Sequence, residues 1–302
     1  MVVPPEPLID TEYITVYVNQ VATFYQITAI GACSASVGGG PAITSVNTSG
    51  SQGTAGIAQN TWTEIHGTNL VPATTIASGV IWNTAPSFLQ GLMPTQLGGV
   101  SVTVNGQPAY VYFFCSAATD PACANDQINV LTPLDSTTGN VSIVVTSGGT
   151  STPPFTATMH TVAPSFLLFS AQGYIAATHL NNIGCAASGL IECYVGPATL
   201  YPGDSTPAAP GETIVAYATG FGLPVLPLTA GSSTQLGALP SLPSCTIGGS
   251  NANAAVGFAG VISPGLYQLN ITVPPGASAM DNAISCTYGG STTPAGDLVT
   301  VN

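Results

Sequence analysis

The chain has 302 residues, 45% hydrophobic and only 4% charged, with 12 Asp and Glu, no Lys and no Arg, and a formal net charge of −12. Without basic side chains nothing releases counterions from phosphates or docks on anionic lipid, which excludes nucleic-acid binding and adsorption to anionic membranes. Kinase-type phosphate clamps are excluded on the same ground, and the hydrophobic fraction argues against disorder, which low hydrophobicity drives.

In chain order, residues 1–40 read as an N-terminal β arm ending in a Gly-rich hinge. The opening Met1-Val-Val-Pro-Pro-Glu-Pro7 has neither the basic n-region nor the apolar h-region of a secretory signal. A β-rich run follows over 13–30, with Ile14, Val16 and Val18 alternating, then Val21, Phe24, Tyr25 and Ile27. Such a strand is not stable alone and must add to a sheet, its own or a neighbour's. Cys33 and the stretch 34–40 complete the segment.

Beyond the arm, short β-branched runs alternate with Gly, Pro and Asn: Val100–Val104, Gln127–Val130, Val141–Val145, Thr213–Tyr217 and Tyr267–Val273. Short alternating strands at this spacing predict β-sandwiches, and Asn105-Gly106 after Val104 predicts a tight hairpin. An internal repeat predicts two of them. Gln127-Ile-Asn-Val-Leu-Thr-Pro133, then 139–145 and Gly148-Gly-Thr-Ser-Thr-Pro153, matches Gln268-Leu-Asn-Ile-Thr-Val-Pro274, then 281–286 and Gly289-Gly-Ser-Thr-Thr-Pro294. Upstream, Thr63–Asn69 aligns with Val215–Phe221, and Gly99–Gly106 with Ser244–Gly249. The boundaries fall at 41–163 and 164–302.

Cys115/Cys123 and Cys185/Cys193 share an eight-residue offset across turn-like segments. Zinc knuckles use closer spacing, so these read as loop-closing disulfides, and Cys245 with Cys286 as a third between neighbouring strands. Disulfides imply an oxidising, extracellular compartment. Cys33 is left over as a candidate inter-chain thiol. No run of 18 apolar residues predicts a membrane span.

Little else carries chemistry. Glu64 and His66 share one strand face, but two ligands fall short of the three or four a zinc site needs; the pair reads as a polar contact on a solvated face. His160 and His179 stand apart from them. No Gly-x-Ser-x-Gly elbow occurs, and no Asp-x-Asp-x-Asp-Gly calcium loop; Asp120 and Asp126 beside the Cys115/Cys123 loop are the weaker alternative. A carboxylate pair for glycoside cleavage would meet only in space. Trp62 and Trp82 read first as core, since aromatic residues dominate sandwich interiors, with a sugar-stacking platform as the alternative. Asn47, Asn140 and Asn270 lie in Asn-x-Ser/Thr sequons.

Pro41–Val46, Gly67–Leu70, Leu97–Gly106, Gln127–Val130, Ala163–Phe166, Pro210–Val215, Tyr217–Gly220 and Gly265–Asn270 together resemble an uncharacterised C-terminal module of secreted acidobacterial proteins. More distantly they resemble the IPT/TIG immunoglobulin-like superfamily. The resemblance spans about residues 41–302. It implies tandem Ig-like sandwiches and an extracellular setting, and it transfers no catalytic residue; the Cys pairs and the lack of basic residues depart from it.

The reading is an all-β protein, two tandem Ig-like β-sandwiches preceded by a β-strand arm. It is a secreted, non-enzymatic structural protein, a homo-oligomeric subunit of a fibre, filament or cell-surface stalk. The arm adds as a β-strand, or a hairpin, to a neighbouring subunit, and trypsin-like proteases and sortase find no Lys or Arg to act on. The alternative is a carbohydrate-binding or adhesin module. No cofactor, metal, nucleic acid or membrane insertion is expected.

Overall fold

The structure is a computed structural model that describes residues 11–18, 21–28, 39–51, 56–180, 193–248 and 253–302. It divides into two units, Met1–Gly39 and Gly40–Asn302. In the first, the β-rich run is a hairpin, one of the two forms expected of it. Strand Thr11–Val18 pairs antiparallel with Val21–Thr28, setting Ile14 opposite Tyr25, Thr15 opposite Phe24, Glu12 opposite Ile27 and Val18 opposite Val21. Val16 stands opposite Thr23. Cys33 lies outside the described residues.

The second unit is nearly all β and, among the described residues, holds four sheets and two separate apolar cores. The first core spans residues 46–159. One of its sheets has the order Ala42–Thr48, Trp62–Thr68, Asp126–Leu131, Tyr110–Cys115, Val80–Ile81. The other runs Ile57–Ala58, Phe155–His160, Gly139–Ser147, Val100–Val104, Gln96–Leu97. Their inward residues alternate as a half-buried strand requires. Ile65, Ile128 and Val130 face Val102, Val104, Ile143 and Val145, and all are at most 1% exposed.

The second core spans residues 166–301. Strands Ala177–His179, Thr213–Thr219, Leu266–Thr272 and Val256–Ser263 form the middle of an eight-stranded sheet. Strands Ser244–Ile247 and Asp281–Tyr288 anchor the opposing one.

The expected Asn105-Gly106 hairpin is present. Val104 pairs with Gln107, and φ is positive at both turn residues, 52° and 75°, as a two-residue turn matching strand twist demands. The internal repeat is closely reproduced at its final hairpin. Thr152 Oγ1 accepts from Val145 N at 3.2 Å, and Thr293 Oγ1 accepts from Cys286 N at 3.0 Å.

One alignment is corrected. Gln127 pairs with His66 and Gln268 with Tyr217, so His66 corresponds to Tyr217 and not to Ala218. Asn69 then corresponds to Gly220, and both are left-handed, with φ of 54° and 77°. Asn substitutes for Gly at such positions, so the residues that match by conformation do not match by name. A slip of one residue would have put every side chain of the strand on the wrong face.

Candidate functional site

The Trp62–Thr68 strand decides what the first sheet presents. Thr63, Ile65 and Gly67 are buried, while Trp62, Glu64 and His66 are half-buried on the other face. Register aligns polar partners with them. Asn47 and Asn129 flank Glu64 on its two neighbouring strands, and Ser45 and Gln127 flank His66. The Gln127 amide donates to Asn129 Oδ1 at 2.8 Å, which orients the Asn129 amide beside Glu64. His66 Nε2 lies 3.6 Å from Glu64 Oε2, each side chain about 30% exposed.

Beside this row stands an aromatic wall. The Trp62 ring meets Trp82 at 5.5 Å and Tyr112 at 5.0 Å, both edge-on. Trp82 meets Tyr112 at 5.1 Å and stacks on Phe88 at 4.9 Å. Tyr112 reaches this face at a bulge between Val111 and Phe113. Trp82 comes from a 3-10 turn, Trp82–Thr84, and Phe88 from the helical turn Pro86–Leu89 that follows it and opens with Pro86, where proline needs no N–H partner. Rings this close leave no room for a group between them, so they form one continuous surface and not a cage.

Wall and polar row border a groove of about 970 Å³ that is also lined by Leu167–Ala171, Ser263, Pro264 and Leu266. A polar network fixes the two sides. Asn60 Nδ2 donates to Gln235 Oε1 at 2.9 Å, and Gly265 N donates to the same oxygen at 3.2 Å. Trp62 N donates to Thr219 Oγ1, which in turn donates to Gly265 O. Gly265 has φ +63°, and a Cβ there would run into Leu131 and the Trp62 indole; only glycine allows this approach.

Among the described residues lining the groove, Glu64 is the single carboxylate and His66 the single imidazole, and no third His, Cys or carboxylate joins them. Two carboxylates would be needed for ordinary glycoside cleavage. Asp126 is not free to hold calcium. It is buried and accepts from Leu70 N, Ser116 Oγ and Ala117 N at 2.9–3.1 Å. Asp120 accepts from Ala122 N and lies beside Cys115 and Cys123, whose sulfurs are joined to each other.

The other expected residues fall as follows. Cys245 is bonded to Cys286, directly opposite it in the sheet. Cys193 is also disulfide-bonded, while Cys185 lies outside the described residues. His179 is buried, its Nδ1 2.5 Å from Glu212 Oε1 and its Nε2 3.0 Å from Thr206 Oγ1. It ties the residue before the Thr213–Thr219 strand to its sheet neighbours, away from the groove. The reading of Trp62 and Trp82 as core holds, since Trp82 is 6% exposed within the first core and half-buried Trp62 packs against it, and both also line the groove. The alternation Trp-x-Glu-x-His was the available signal, since it puts an aromatic and two polar residues on one face.

No family profile and no curated protein matches the chain. Among solved structures it is similar to SGBP-B of the Bacteroides ovatus mixed-linkage glucan utilization locus, solved with a mixed-linkage heptasaccharide: 12% identity over 87% of this chain and 45% of that one, TM-score 0.32. It is also similar to SGBP-B from a complex xyloglucan utilization locus of Bacteroides uniformis, at 17% identity over 84% and 47%, TM-score 0.22. Domains 5–6 of the S-layer protein SbsC are a third, at 11% identity over 86% and 98%, TM-score 0.24. The chain spans less than half the length of either SGBP-B chain. Likenesses this distant carry no functional argument. No helix among the described residues is long and apolar enough to cross a membrane.

Proposed function

We propose that the 40–302 unit is a non-catalytic carbohydrate-binding module of an extracellular or cell-surface protein. The observation that carries this is the groove itself: a continuous aromatic wall of Trp62, Trp82, Tyr112 and Phe88 beside the cross-strand row Asn47, Glu64, Asn129. Sugars present apolar C–H faces that pack on aromatic rings and hydroxyls that need paired donors and acceptors, and binding sites combine an apolar wall with a few placed polar groups. The network through Gln235 and Thr219 sets the groove before ligand arrives, which lowers the ordering cost of binding. A lone carboxylate suits hydrogen bonding better than cleavage. The disulfides support the extracellular setting.

Affinity electrophoresis in gels containing neutral glycans (β-glucan, xylan, mannan, soluble chitin) tests this. At least one should retard the wild type and not Trp62→Ala. Equal migration of both proteins in every gel contradicts the reading.

A second reading, a homo-oligomeric fibre or stalk subunit assembled by strand addition, draws support from the Thr11–Val18/Val21–Thr28 hairpin, a separate two-stranded unit. Two-stranded hairpins are marginal alone and gain stability by joining a larger sheet. Light scattering of the intact protein and of a form lacking residues 1–40 tests it. Only the intact form should assemble.

A further inference from the structure

We infer that the ligand continues out of the groove across Phe169 onto a second aromatic subsite formed by Tyr194 and Tyr201, and is therefore an extended, uncharged polysaccharide chain. The inference rests on the groove being a carbohydrate site. Phe169 belongs to both places. It lines the groove, and its ring meets Tyr194 at 5.1 Å and Tyr201 at 5.4 Å, both edge-on. Tyr194 and Tyr201 lie 5.3 Å apart, closing a three-ring cluster.

This cluster is not core. The large aromatic residues that build the interior, Phe114, Phe166, Phe221 and Tyr267, are at most 1% exposed, whereas Tyr201 is 37% exposed and Phe169 and Tyr194 are half-buried. Two neighbouring elements, strand Tyr194–Val195 and the turn before strand Ser205–Thr206, meet the segment after strand Ser165–Phe166 to make it. A solvent-facing cluster continuous with an apolar groove lengthens the groove's stacking surface.

Charge selects the occupant. Glu64 lies in the groove, and Asp204, which accepts from Tyr194 N through its carbonyl, lies beside the second cluster. The chain holds no Lys or Arg to offset either. A polyuronate would meet like charge at both ends, while a neutral chain would not.

Calorimetric titration with the disaccharide and the hexasaccharide of neutral β-glucan, xylan, mannan and chitin, with polygalacturonate as the acidic arm, tests this. The hexasaccharide of the recognised glycan should bind at least tenfold more tightly than the disaccharide, and polygalacturonate should not bind. Tyr201→Ala should weaken the hexasaccharide roughly three- to tenfold, the scale of one aromatic contact, and leave the disaccharide unchanged. Tyr201→Phe, which keeps the ring, should bind like wild type and separates stacking from any folding defect. Equal affinity for both lengths, an unchanged hexasaccharide affinity in Tyr201→Ala, or binding of polygalacturonate overturns the extended neutral site while leaving the groove intact. Absence of neutral-glycan binding, or indifference to Trp62→Ala, overturns the groove and this inference together.

Discussion

The two halves of the 40–302 unit solve the same structural problems with different residues, and the differences separate scaffold from site. Where Val102 faces Val145 in the first half, Cys245 faces Cys286 in the second and is bonded to it. At the residue before the Gln-x-Asn sequence, Asp126 accepts from Leu70 N, and its counterpart Tyr267 donates to Gly222 O. Both buried side chains fasten the turn after the neighbouring strand, one as acceptor and one as donor. These are exchanges of one staple for another. The outward face of that neighbouring strand is not exchanged in kind: Trp62 and Glu64 of the first half stand where the second has Thr213 and Val215. Of these two strands, Trp62–Thr68 carries the aromatic and acidic pair, and its outward face lines the groove.

The largest effect concerns the staple. C245V/C286V copies the first half's Val pair and should lose about 4 kcal/mol in denaturant unfolding, by the loop-closure relation for a separation of 41 residues. Unchanged stability would mean that the Val pair and the disulfide are equivalent, and the distinction between halves would lose its force.

Gln235→Ala leaves the Asn60 amide and the Gly265 N–H without their common acceptor. Two buried donors stranded in this way should cost about 3 kcal/mol, and glycan affinity should fall with it because the groove's two sides separate. Retained affinity at lowered stability would show that the groove does not depend on the junction.

Glu64→Val gives the first half the second half's residue. Stability should stay within about 0.5 kcal/mol, as for a half-exposed surface position. Binding should lose about 2 kcal/mol, the worth of hydrogen bonds to a charged group. A variant that binds normally would place the polar contacts elsewhere in the row.

The smallest effect concerns Tyr267. Burial pushes its phenol well above the ordinary value of 10.0, so the fold holds the neutral form. Its stabilisation is complete below pH 10 and is lost as the pH rises beyond that, because the unfolded chain gives up the proton first. Tyr267→Phe should cost about 1.5 kcal/mol at neutral pH through the unpaired Gly222 carbonyl and should flatten the alkaline limb of the stability profile. An unchanged limb would assign alkaline unfolding to other tyrosines.

Much of the scaffold was legible because strand chemistry is local. Val100–Val104 with Asn105-Gly106 announces a hairpin, and the repeated Gly-Gly-x-x-Thr-Pro hairpins announce each other. The register of Trp62–Thr68 against Thr213–Thr219 was less legible, since Asn69 and Gly220 share a conformation and not a name. The groove was legible only in part. Trp62, Glu64 and His66 share a face by alternation alone, but the wall beside them needs a bulge at Tyr112, a 3-10 turn at Trp82 and a helical turn at Pro86. Their meeting with Leu167–Ala171 needs contacts across more than 100 positions. Such convergence is set by tertiary packing, which no local period encodes.

The chain has two tryptophans, Trp62 and Trp82, beside eleven Tyr, and both tryptophans line the groove, so tryptophan emission excited apart from tyrosine reports on the proposed site. Titrating the protein with the glycan that retards it in affinity gels should shift or quench the tryptophan emission saturably, with the same midpoint as calorimetry. Calorimetric binding with unchanged tryptophan emission would contradict the account, because the sugar would then sit away from the aromatic wall of the first half.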